Sequence, residues 1–264
     1  MAVPGLVLGC FNVFGRFQFS FLEFGHHTNK LSYNLGNYTD ELALSLTVIG
    51  MLLIAFSKKK REDELIARIR MDALYWSVLI NCLVYILLSP FDVENVYTYN
   101  LCTPLIIFIL RFNYLLYFKK DTFIIPRLRF LSFKPWRILA VGIFLLCLAG
   151  VGYWMCYHAN YNNNSLDGVI NVVLYASLLV WMFSRNKVED ELTMQYRMNS
   201  MFLAVMLNYL LLLVANFVYY GIAFLAIMIY NMITIPVFFI IIFSAYSIKN
   251  SWKKERQLKG GLLV

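Results

Sequence analysis

Residues 56–71, FSKKKREDELIARIRM, realign with residues 183–198, FSRNKVEDELTMQYRM, at a constant offset of 127. Ser57, Lys60, Glu62, Asp63, Glu64, Leu65, Arg70 and Met71 thereby match Ser184, Lys187, Glu189, Asp190, Glu191, Leu192, Arg197 and Met198. The same offset pairs Asp40 with Asp167 and Asn81 with Asn208, and an offset of 131 then pairs Tyr99, Asn100 and Thr103 with Tyr230, Asn231 and Thr234. That many matches in register mark a duplication, which is sought before any motif because it decides the architecture.

Working outward, each charged stretch lies between apolar runs. The chain is 61% hydrophobic and 14% charged over 264 residues, too little charge to cover a soluble surface. Seven runs, 39–57, 72–90, 97–118, 137–157, 167–184, 199–219 and 222–247, have the length a helix needs to cross about 30 Å of hydrocarbon. They are continuous, without the alternation of a transmembrane strand.

The fold expected is therefore an all-α membrane protein of two parallel three-helix repeats joined by a linking helix. Its segments are an N-terminal portion (1–38), repeat 1 (39–118), a basic loop with the linking helix and an outer loop (119–166), repeat 2 (167–248) and a basic tail (249–264). The portion 1–38 reads equally as an aromatic-rich interfacial segment or as part of an eighth span, residues 1–11 being about half the length a span needs. The V-L-G-C ending at Cys10 lacks the basic start and the apolar length of a lipoprotein signal.

Charge sets the orientation. Segments 58–70, 111–137, 185–197 and 249–259 hold 6, 7, 3 and 5 lysines and arginines, 21 of the chain's 23, and all fall on one side of a seven-span layout. The positive-inside rule makes that side cytoplasmic and puts the C-terminus inside, and the membrane expected is a bacterial cytoplasmic one. The net charge of +8 is thus an orientation signal and not a nucleic-acid footprint.

The elbow K-x-E-D-E-L carries the strongest local signal. Read as helix continuing past the bilayer, it sets Lys58 before Glu62, Lys60 before Glu64, Glu64 before Arg68, Arg185 before Glu189 and Lys187 before Glu191, each at ion-pair spacing. Two uses follow from that: a collar fixing where each helix leaves the membrane, or carboxylates gathered for a cytoplasmic protein partner or a cation. The lysines oppose a cation site. Asn81 and Asn208 stand about nine residues into their helices, where an amide needs a partner from another helix or a polar ligand.

Asn100, Thr103, Asn231 and Thr234 lie near Pro104 and Pro236, where a kink would free a carbonyl for a hydroxyl or an amide. Arg111, unmatched in the second copy, is expected to reach out to the headgroups, which would leave the middle of the bilayer without an ionisable residue. Five scattered cysteines without a C-x-x-C, and His26, His27 and His158 without companion ligands, support no disulfide framework and no metal or other cofactor. With no H-E-x-x-H, G-x-S-x-G or Walker sequence, nothing points to an enzyme.

On these elbows, the R-M after them, the membrane Asn and the Y-N of the third helix, the chain resembles a family of small polytopic bacterial membrane proteins with repeated K-x-E-D-E-L units. That resemblance implies a fold but no activity. The three-one-three layout is also similar to that of the SWEET transporters in plan only, since their Pro-Gln signature is absent. The function expected is a non-enzymatic signalling or assembly component held in the lipid bilayer, the alternative being a transporter or channel for a small polar solute. The sequence leaves the oligomeric state open.

Overall fold

A computed structural model describes residue 7 and residues 39–57, 64–88, 102–118, 131–157, 164–185, 191–219 and 222–261. Among the described residues the chain is helical throughout, with no strand ladder. Its helices are α1 (Thr39–Phe56), α2 (Glu64–Leu88), α3 (Thr103–Phe118), α4 (Ile138–Tyr157), α5 (Asn164–Met182), α6 (Glu191–Val218) and α7 (Ile222–Gly261), with a short helical turn at Phe133–Arg137 ahead of α4. Three stretches, Leu65–Leu87, Phe133–Tyr153 and Leu192–Val218, are long and apolar enough to cross a membrane. Glu41–Phe56, Thr103–Phe118, Val172–Met182 and Ile233–Lys249 are shorter apolar helices.

Helix ends depart from the apolar runs where charged helix formers flank them. Helix α2 starts at Glu64 and α6 at Glu191, eight residues before the predicted starts, so both R-M pairs ride inside helices. Leu, Ala, Arg and Met favour helix as well as any apolar residue does. An acidic first residue suits the helix start, where the backbone N–H groups make a positive end. Nor does the preceding helix run on through the elbow, as expected: α1 ends at Phe56 with Ser57 outside it, and α5 ends at Met182. Residues 58–63 and 186–190, with the remaining elbow ion pairs, lie outside the described residues.

The two prolines differ. Pro104 is in the first turn of α3, where a missing N–H costs nothing, so it starts that helix instead of kinking it. Pro236 lies inside α7.

The chain divides into two compact units. One comprises 1–81, 97–126 and 208–232, the other 82–96, 127–207 and 233–264. In the first, α1 packs against α3. Phe56 stacks on Phe108 at 5.2 Å between ring centroids, and Phe108 on Phe112 at 5.8 Å. In the second, α4 packs on α5 and on the turn before it, with Phe144 edge-on to Trp181. Only 6% of the apolar stretch of α4 is buried, and Leu145, Leu146, Leu148 and Tyr153 stand exposed. A run of that hydropathy left bare has its natural surroundings in hydrocarbon.

Candidate functional site

Helix ends explain the similar geometry around Arg70 and Arg197. The last carbonyls of a helix have no partner within it and together form its negative end. Helix α5 stops at Met182, and Arg197, one turn and a half into α6, turns its guanidinium onto that end: Nη1 donates to the Met182 carbonyl and Nη2 to the Ser184 carbonyl, both at 2.9 Å. The Phe243 ring from α7 covers the guanidinium at 4.9 Å, within cation–π range, and stacks in turn on Phe239. Arg197 is 1% exposed, the largest side chain so deeply buried among the described residues.

In the other unit, Arg70 Nη2 donates to the Ser57 carbonyl at 3.2 Å, just past the end of α1, and lies 5.6 Å from the Phe112 ring. The two arginines are 127 residues apart, as are the two serines, while the rings are 131 apart, like Tyr99 and Tyr230. The sequence reading paired the arginines and missed the rings, although Phe108 with Phe112 and Phe239 with Phe243 keep the same i, i+4 spacing at that offset.

A second charged group was not foreseen. Arg111 meets a carboxylate: its Nε and Nη2 donate to Asp72 Oδ2 at 3.1 and 2.8 Å. Asp72 and Trp76, four residues apart on α2, share a face, and the guanidinium also lies 5.1 Å from the Trp76 ring. The Asp72 side chain is 4% exposed and that of Arg111 31%. Asp72 Oδ1 is buried with no hydrogen-bond partner among the described residues. Arg111 sits midway along α3, so an apolar helix carries a cation paired with a carboxylate of a neighbouring helix. The available sign was a lone arginine with I-L before it and F-N-Y-L-L after it.

Of the asparagines, Asn81 and Asn208 are both buried in the first unit, and Asn81 Oδ1 has no hydrogen-bond partner among the described residues. Thr103, Asn231 and Thr234 are half-buried. Asn100 and the elbow residues Lys60, Glu62, Asp63, Lys187, Glu189 and Asp190 lie outside the described residues, as do the three histidines. Glu64 and Glu191 open their helices. The sequence reading passed over Asn216, which is buried and donates from Nδ2 to the Glu41 carbonyl at 2.9 Å and to Ser45 Oγ at 3.2 Å.

Cys82, Cys102 and Cys147 are free thiols. Among the described residues, no group of three or more His, Cys, Asp or Glu side chains could hold a metal ion. Beside Arg197 lies a cleft of about 10 Å³, space for one water or one oxygen atom of a larger group. In comparisons with known proteins the chain matches no family model, no curated protein and no solved structure.

Proposed function

We propose that the chain is a multi-pass signalling or assembly component of a bacterial cytoplasmic membrane, built from two like-oriented three-helix repeats and without enzymatic activity. Its charged elbows are the docking surface for a cytoplasmic protein partner. One observation carries this reading: at matching positions an arginine binds the chain just past a helix end and lies against a phenylalanine of the repeat's third helix. Such a staple fixes the two ends of each elbow, so its carboxylates are presented from a rigid base, which lowers the ordering cost of binding.

Burial supports the duplication. At the 127 offset Ala73, Leu74, Val78 and Asn81 are buried, and so are Ser200, Met201, Val205 and Asn208.

Two experiments test the proposal. Reporter fusions after residues 65 and 192 are expected to place both elbows in the cytoplasm; opposite faces would end the parallel arrangement. Glu62→Gln, Asp63→Asn and Glu64→Gln together are expected to abolish recovery of cytoplasmic partners in a pull-down, and an unchanged partner set would end docking through the elbow.

A second reading, transport of a small polar solute, is favoured by the Asp72–Arg111 pair, because ionisable residues inside apolar helices commonly mark a solute or ion path. Uptake by the purified protein in liposomes, lost in Asp72→Asn, would replace the first reading with this one.

A further inference from the structure

Several cations converge at one end of the second unit. Arg137 and Arg197 line the small cleft together with Ser184, Ser244 and Trp181. The backbone brings two more beside them: Leu131 N–H donates to the Phe183 carbonyl at 3.1 Å and Arg185 N–H to the Leu131 carbonyl at 2.8 Å. This bridge sets the stretch that carries Lys134 and Arg137 alongside Arg185. Lys134 and Arg185 are exposed. The stretches 131–140, 181–185 and 239–249 contain no Asp or Glu, the next acidic residues after Arg185 in sequence being Glu189, Asp190 and Glu191, and Lys249 follows Ser244 on α7.

An apolar surface adjoins this charge. Trp136, Ile138 and Leu139, at the start of α4, are 47%, 55% and 53% exposed. A ligand suited to both surfaces carries an anion and a hydrocarbon tail on one molecule. A free nucleotide or an acidic peptide would leave Ile138 and Leu139 uncovered. The cleft admits a single oxygen atom, which fits one phosphoryl oxygen inside while the rest of the headgroup stays at the mouth.

We propose that this end of the second unit is a binding site for an anionic phospholipid, with the phosphodiester held by Arg137, Lys134 and Arg185 at the mouth of the Arg197 cleft and the acyl chains lying along α4. Guanidinium groups suit phosphate because their N–H fork matches its oxygens, and basic pockets between membrane helices are known headgroup sites. Trp136 is placed where an indole anchors at the interface. The proposal rests on reading the chain as membrane-embedded with its basic segments at one bilayer face.

The test uses the full-length protein, purified from a detergent micelle doped with equal phosphatidylglycerol and phosphatidylcholine, with retained lipid read by native mass spectrometry. Wild type is expected to retain phosphatidylglycerol in excess. Arg137→Gln with Arg185→Gln is expected to lower that excess about 25-fold, at about fivefold per arginine. Lys58→Gln with Lys60→Gln removes the same charge from the other repeat and is expected to leave the excess unchanged. These variants spare the buried Arg197, so the fold is kept.

Equal retention of the two lipids by wild type, or an excess that survives loss of Arg137 and Arg185, overturns the site while leaving the membrane reading intact. A protein that retains neither lipid and stays monodisperse without detergent would overturn the membrane reading itself. Inorganic phosphate at 100-fold excess is expected not to displace the lipid; displacement would assign the cleft to free phosphate instead.

Discussion

Arg70 and Arg197 do the same job with unequal grip. Arg197 reaches two carbonyls at 2.9 Å beneath a ring at 4.9 Å, and is almost wholly buried. Arg70 Nη2 reaches the Ser57 carbonyl at 3.2 Å beneath a ring at 5.6 Å, and the residue is half-buried. The difference teaches how an apolar helical protein buries a cation: the negative end of a helix stands in for a carboxylate, and the more deeply buried guanidinium is the one with the shorter bonds and the closer ring. The first unit has a further cation to accommodate, Arg111, and meets it with a carboxylate from the neighbouring helix. At the corresponding positions the second unit has Asn199 for Asp72 and Ile242 for Arg111.

The largest expected effect breaks the tighter staple. Arg197→Gln removes two charge-assisted bonds and leaves the end of α5 without them, at a cost of about 4 kcal/mol. Arg70→Gln, which loses the longer bond to Ser57 on a half-buried group, is expected to cost about 1 kcal/mol. Unfolding of the two variants in mixed micelles, followed by circular dichroism, checks the ratio; equal losses would mean that the two arginines are equivalent after all.

Next comes the unmatched ion pair. Arg111→Leu strands a buried carboxylate and is expected to destabilise the protein by about 2 kcal/mol, discounted because Arg111 is a third exposed. Adding Asp72→Leu is expected to recover most of that, since Asn199 and Ile242 at the aligned positions form no such pair. A double variant worse than the single one would show that Asp72 is held by something other than Arg111.

These comparisons also show what was legible. The staple arginines and serines were visible as aligned residues, but their partners were not, because a bond to a backbone carbonyl leaves no mark on residue identity. Asp72 was taken as the first residue of an apolar run and Arg111 as a residue near the edge of one. Their pairing depends on helix α2 starting eight residues earlier, at Glu64, which a hydropathy reading cannot see because Glu, Arg and Met favour helix without lengthening the run. For the same reason α7 runs on to Gly261 through K-K-E-R-Q-L-K, past the predicted end at 247. Apolar periodicity locates helices, whereas their charged ends decide which residues meet.

Asn216 offers a smaller test within the first unit. Asn216→Leu removes its bonds to the Glu41 carbonyl and Ser45 Oγ and is expected to cost about 1.5 kcal/mol. Its effect should add to that of Arg197→Gln, since Asn216 bonds Glu41 and Ser45 whereas Arg197 bonds Met182 and Ser184, and a double variant read in the same unfolding assay checks this. A deficit beyond the sum would mean that the two sites communicate.

The smallest expected effect concerns Tyr175, whose hydroxyl donates to Cys82 Sγ at 3.1 Å while its ring stands edge-on to Tyr85 at 4.7 Å. At the 127 offset Val48 stands in its place, where a buried helix packs without a hydroxyl. Thiol sulfur is a weak acceptor, and Tyr175→Phe is therefore expected to cost only about 0.5 kcal/mol. Cys82 should remain closed to maleimide in that variant, because the ring and not the hydroxyl covers it. Tyr175→Ala removes the ring and is expected to open Cys82 to labelling. Labelling already present in Tyr175→Phe would make the bond, and not the packing, the thing that shields the thiol.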